Sequence, residues 1–140
     1  MKSRTCHSHS RWPQAEKTMR IALIILIGIH GIIHLFGFFK AFGISEFNAI
    51  SQPISKTFGI FWFLAFLFFA ITVILFFAHS NYWWLSGLLA VIISQVLIIN
   101  YWSGAKFGTI VNLIILISLI IASAILGLSF LLRKSLNSKA

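Results

Sequence analysis

Acidic side chains are nearly missing: the 140 residues include two Asp plus Glu against eleven Lys plus Arg, and charged residues total 9%. A soluble domain carries about 25%, so this chain cannot cover a water-facing surface. Cysteine occurs once, as Cys6, which excludes an intrachain disulfide scaffold. The two prolines, Pro13 and Pro53, both stand outside the long apolar runs. Strand-like alternation is absent, so a membrane barrel has no support. What is abundant is apolar surface, at 59% hydrophobic residues, too much to leave in water as a disordered chain. The composition describes an integral membrane protein.

Four apolar stretches fall at about 21–39, 58–78, 83–102 and 109–132. Each approaches the ~20 residues that a helix needs to cross a ~30 Å hydrocarbon core. Backbone groups cannot stay unpaired in lipid, so the stretches must be helical. The links between them are short, which makes consecutive helices antiparallel neighbours. The expected fold is all-α: a four-helix, up-down-up-down membrane bundle over residues 20–132. The longest link, with apolar Ile44, Phe47, Ile50 and Ile54, reads as a short amphipathic helix lying along the interface. Gly28, Gly31, Gly37, Gly87 and Gly127 are positions where a neighbouring helix could approach closely. The aromatic run from Phe58 to Phe69 reads as lipid-facing surface or core filler.

Orientation follows from basic residues. With four spans both termini share one side, and that side holds Lys2, Arg4, Arg11, Lys17, Arg20, Arg133, Lys134 and Lys139. The other side holds Lys40, Lys56 and Lys106. The positive-inside rule therefore puts both termini in the cytoplasm of a bacterial inner membrane. The net charge of +9 reads as topology and attraction to anionic lipid, not as a nucleic-acid surface. Residues 1–19 read as a disordered cytoplasmic tail, with two alternatives: initiation at Met19, or a metal-binding tail using Cys6, His7 and His9. Residues 133–140 read as a second, basic cytoplasmic tail.

Polar residues at membrane depth are costly, which makes them candidates for function. His30 and His34 lie four apart and share a helix face. With Gln95, Asn100 and Asn112 they form a candidate outward-facing pocket, with Lys40 and Lys106 as boundary charges. The competing reading is interhelical glue. Thr72, Ser118, Ser123 and Ser129 are expected to bond within their own helices.

Several chemistries find little here. No metal site is expected; His30 and His34 alone are weak candidates without a carboxylate or thiolate nearby. Haem is disfavoured because one helix face cannot supply ligands to both faces of the ring. His79, the histidine on a second helix, sits at the opposite depth. Proton-coupled export lacks an embedded carboxylate, since Glu16 and Glu46 lie outside the spans. A serine or cysteine nucleophile lacks a base and an orienting acid beside it.

The residues His30-Gly31-Ile32-Ile33-His34-Leu35-Phe36-Gly37-Phe38, Lys40-Ala41-Phe42-Gly43, Gln52-Pro53-Ile54-Ser55-Lys56 and Ala105-Lys106-Phe107-Gly108-Thr109-Ile110-Val111-Asn112 resemble a group of small bacterial four-helix membrane proteins. More distantly, the span count and the glycine-then-lysine ending of the first span resemble the DoxX-like family. That resemblance implies a four-helix topology and an association with quinone-linked redox or sulfur metabolism. The histidine pair departs from the family, and no catalytic residue carries over.

Three functions follow as expectations. The first is a non-enzymatic or accessory protein holding a lipid- or quinone-like molecule in the polar pocket. The second is a membrane redox enzyme or subunit using His30 and His34. The third is a purely structural subunit. The bilayer is the expected partner, with a second copy or another membrane subunit beside it.

Overall fold

The computed structural model describes residues 14–45 and 50–137. Every regular element among them is helical: α1 (Gln14–Ala41), α2 (Lys56–Phe77), α3 (Trp83–Asn100), the short α4 (Trp102–Ala105) and α5 (Gly108–Asn137). Three helical segments are long and apolar enough to cross a membrane, namely Thr18–Ala41, Lys56–Phe77 and Trp83–Asn100. In α5 the described apolar part is Gly108–Ala124.

The ends of the helices differ from the expected boundaries. Helix α1 begins at Gln14, inside the stretch assigned to a disordered tail. Gln14, Ala15, Glu16 and Lys17 are all good helix formers, and one more turn costs little once a helix exists. Helix α5 likewise continues to Asn137, through the start of the expected basic tail. Cys6, His7 and His9 lie outside the described residues. Residues 44, 45 and 50–55 form no helix. Ile50 and Ile54 turn inward against Trp62, Ala65, Leu97 and Tyr101. The interfacial helix expected in this link is therefore absent from its described part, because its apolar side chains find protein to pack on.

Two helix ends share one device. At the end of α1, Gly43 has φ +68°, its N–H donates to the Lys40 carbonyl, and the Ile44 N–H donates to Phe39. At the end of α2, the His79 N–H donates to Phe76 and the Ser80 N–H to Leu75. Both are Schellman caps. The second places a histidine, φ +55°, where glycine is the usual occupant. At the other end of α2, Ser55 Oγ accepts from the Phe58 N–H, as an N-cap serine does.

Side-chain contacts establish the antiparallel order. Arg20, early in α1, bonds to the Phe76 carbonyl at the end of α2. Ala41, at the end of α1, packs on Gly59 at the start of α2. Thr72 Oγ1 lies 3.1 Å from Ser86 Oγ, joining α2 to α3. Gln95 Nε2 donates to Thr109 Oγ1 across 3.2 Å, joining α3 to α5. Each long helix packs on the next in sequence, and α5 returns to α1 along the loosest seam of the ring. The outer faces carry exposed Ile25, Ile29, Ile32, Ile60, Phe61, Ile74, Ile92, Val96, Leu113 and Ile117. An apolar belt of that extent belongs in lipid.

Glycine lets α2 lie close to α1. A Cβ on Gly31 would stand 2.9 Å from the Phe69 Cβ, and one on Gly37 would enter the Trp62 ring. Gly87 makes the same approach to Leu119 and Thr72. Gly28 and Gly127 do not: a Cβ on either would meet nothing within 4 Å. They sit on open faces, so the sequence expectation of close approach fails there.

Candidate functional site: a histidine, serine and asparagine ring

Helical spacing brings the polar residues together. His30 and His34 face inward from α1 and are 3% and 1% exposed. Ser94 on α3 is fully buried, and Asn112 on α5 is 2% exposed. Phe69 and Trp62 of α2 back the imidazoles, with His30 5.1 Å from Phe69 and His34 5.1 Å from Trp62 between ring centres. Trp62 is itself buried, and its indole Nε1 has no hydrogen-bond partner among the described residues.

One placement of the protons satisfies the ring in a single direction, although Ser94 Oγ also lies 3.1 Å from Asn112 Oδ1 and 3.4 Å from His30 Nε2. His34 Nδ1 lies 2.9 Å from the His30 carbonyl oxygen, which can only accept, so Nδ1 carries the proton. In the neutral ring, His34 Nε2 is then an acceptor for Ser94 Oγ–H at 2.9 Å. Ser94 Oγ, its proton committed, accepts from Asn112 Nδ2 at 3.0 Å. Asn112 Oδ1 accepts from His30 Nε2 at 2.9 Å. The chain of donors thus leaves the His30 side chain and returns to the His30 backbone. The second amide proton of Asn112 goes to Gln95 Oε1 at 3.1 Å, and Gln95 donates onward to Thr109. Donors running in one sense around a buried ring strengthen one another.

The structure brings His30, His34, Gln95 and Asn112 into one constellation and leaves Asn100 out. Asn100 is exposed and donates to the Val96 carbonyl of its own helix at 2.8 Å. It follows Gln95 by five residues, which rotates it by about 140° at 3.6 residues per turn. Lys40 Nζ donates to the Ile50 carbonyl and pins the link onto α1. Lys106 is exposed, 5.5 Å from the centre of the Phe107 ring. Ser94 is the member that the inventory of polar residues missed. Its signal was the buried stripe Gly87, Ala90, Val91, Ser94, Leu97 and Ile98, whose 3–4 spacing marks the packed face of α3.

A cavity of about 280 Å³ adjoins the ring. His30 and His34 form part of its wall, with Ile33, Ile98, Phe107 and Val111 among its apolar residues. Its roof is Ile50 of the pinned link, and Gly108 admits it beside His30, whose Cε1 would be 3.5 Å from a Cβ there. No third histidine, cysteine or carboxylate joins the pair among the described residues. No family model, no curated protein and no solved structure matches the chain. The site must therefore be read from its own geometry.

Thr72 and Ser118 bond to their own helices, at the Phe68 and Ile114 carbonyls. Thr72 also meets Ser86, whose Oγ lies 3.1 Å from the same Phe68 carbonyl. This smaller polar contact fastens α2 to α3 below the ring.

Proposed function

We propose that the chain is a bacterial inner-membrane protein with both termini cytoplasmic, which holds the polar head of a quinone-like molecule in the cavity beside His30 and His34. The observation that carries this reading is the cavity itself: two buried imidazoles set into a largely apolar wall. Small-molecule sites have that character, apolar with a few placed polar groups, and span about 300–1,000 Å³. At about 280 Å³ the space suits a single ring with its substituents rather than a whole lipid. Exposed Ile33 and Phe36 border the cavity, so a hydrophobic tail has a route into the bilayer.

The test is extraction of the protein purified in mild detergent, followed by chromatography of its lipid-soluble content. A quinone should accompany the wild-type chain and be lost from Val111→Phe, which fills the cavity without touching the ring. A short-chain quinone should also quench tryptophan fluorescence in the wild type and not in V111F. Absence of both effects in the wild type overturns the reading.

A second reading is favoured by the closure of the ring. His30, His34, Ser94 and Asn112 satisfy one another, as interhelical glue does. Under it the chain is a structural subunit, and replacing both histidines with leucine would change stability alone.

A further inference from the structure

The seam between α1 and α5 holds a second, larger cavity, and we propose that it is a binding site for one anionic phospholipid, with the phosphate at Arg20 and an acyl chain in the groove. The groove encloses about 660 Å³. On α1 its wall includes Met19, Leu23 and Leu26; on α5 it includes Ile114, Ser118 and Ala122. Those spacings of three and four put each set on one helix face. At 1.5 Å per residue the wall runs roughly 10–12 Å along the bundle, a depth suited to part of an acyl chain.

One end of this apolar groove carries a cation. The Arg20 guanidinium sits 5.1 Å from the centre of the Phe76 ring. Its Nη2 donates to the Phe76 carbonyl at 3.4 Å and to His79 Nδ1 at 3.0 Å. Both partners are uncharged acceptors, since His79 Nδ1 must offer a lone pair to an arginine. Among the described residues no carboxylate neutralises the positive charge that these contacts hold in place. Guanidinium geometry suits a phosphate, and its remaining N–H groups are donors. An apolar slot with a fixed cation at one end complements an amphiphile with an anionic head. A zwitterionic lipid matches the slot but gains less from the charge. The basic-residue bias also assigns this end of the bundle to the cytoplasmic leaflet, where anionic lipid is concentrated.

The site is separate from the histidine cavity. The His30–Asn112 bond crosses the seam between the two, so a lipid chain in one does not enter the other. The proposal needs only that the helices span a bilayer, and it survives if no quinone binds.

The test is native mass spectrometry of the full chain released from nanodiscs containing equal parts of phosphatidylglycerol and phosphatidylcholine. One phosphatidylglycerol should be retained per chain, enriched about fivefold over phosphatidylcholine, the preference expected of one well-placed arginine near anionic lipid. Arg20→Gln should abolish the preference and Arg20→Lys should restore much of it. Ala122→Trp, which fills the slot and leaves the charge, should reduce retention of both lipids. Melting temperatures in detergent without added lipid keep a folding defect from being mistaken for lost binding. Equal retention of the two lipids by the wild type, an unchanged preference in R20Q, or a dimer that excludes lipid from this seam each overturns the proposal.

Discussion

His30 Nε2 and Asn112 Oδ1 stand 2.9 Å apart across the seam where the first and last long helices pack least, and their bond divides that seam into two cavities. It is a clasp between helices distant in sequence, and its strength decides how firmly the bundle closes.

A double-mutant cycle with His30→Leu and Asn112→Leu should give a coupling energy of about 0.6–1.7 kcal/mol, the span measured for interhelical hydrogen bonds in membranes. Ser94→Ala should cost at least as much as either single change, since Ser94 Oγ serves both His34 and Asn112. Equilibrium unfolding in mixed micelles reads these values. Additive single effects would show that the ring is not a unit.

Gly37→Ala should destabilise by about 1–3 kcal/mol, the cost of overpacking a close contact, because the new Cβ has to displace the Trp62 ring. Gly28→Ala should be neutral or stabilise by up to about 1 kcal/mol, as a helical glycine on an open face allows. The same unfolding assay compares them, and a similar loss in both would contradict the assigned packing.

His79→Gly should stabilise the cap of α2. A non-glycine residue in the left-handed region costs roughly 1–2 kcal/mol, and the exposed Arg20–His79 bond that is lost returns little. A raised melting temperature is the expected outcome; a fall would mean that the Arg20 contact outweighs the backbone strain.

Cysteine labelling tests the orientation. In a Cys6→Ser background, Ser51→Cys in the exposed link should react with a membrane-impermeant maleimide added to the periplasmic side. In the wild-type chain, by contrast, Cys6 should react only after the membrane is opened. The reverse pattern would invert the bundle.

The sequence carried most of the helices, since long apolar runs separated by short links leave the chain few alternatives. It also singled out His30, His34, Gln95 and Asn112, which the structure joins by hydrogen bonds, while only the two histidines line the cavity. His30 and His34 were legible because a four-residue spacing forces a shared face, and Gln95 and Asn112 because amides at membrane depth need partners. Asn100 misled because depth alone says nothing about azimuth, and its own helix satisfied it. Ser94 was hidden because a serine can bond to its own backbone, so nothing in its identity announces a partner on another helix. The extent of α1 towards Gln14 was missed because the polar end of a helix has no hydrophobic pattern to mark it.

The loose seam between α1 and α5 has a consequence for biogenesis. Helices α2 and α3 each dock on the helix made just before, so the first three can assemble in the order in which a translocon releases them. Until α5 arrives, the imidazole of His30 lacks its amide acceptor and Ser94 lacks the amide that donates to it. Entry of Asn112 supplies both groups at once, so the last helix acts as the latch of an otherwise finished wall.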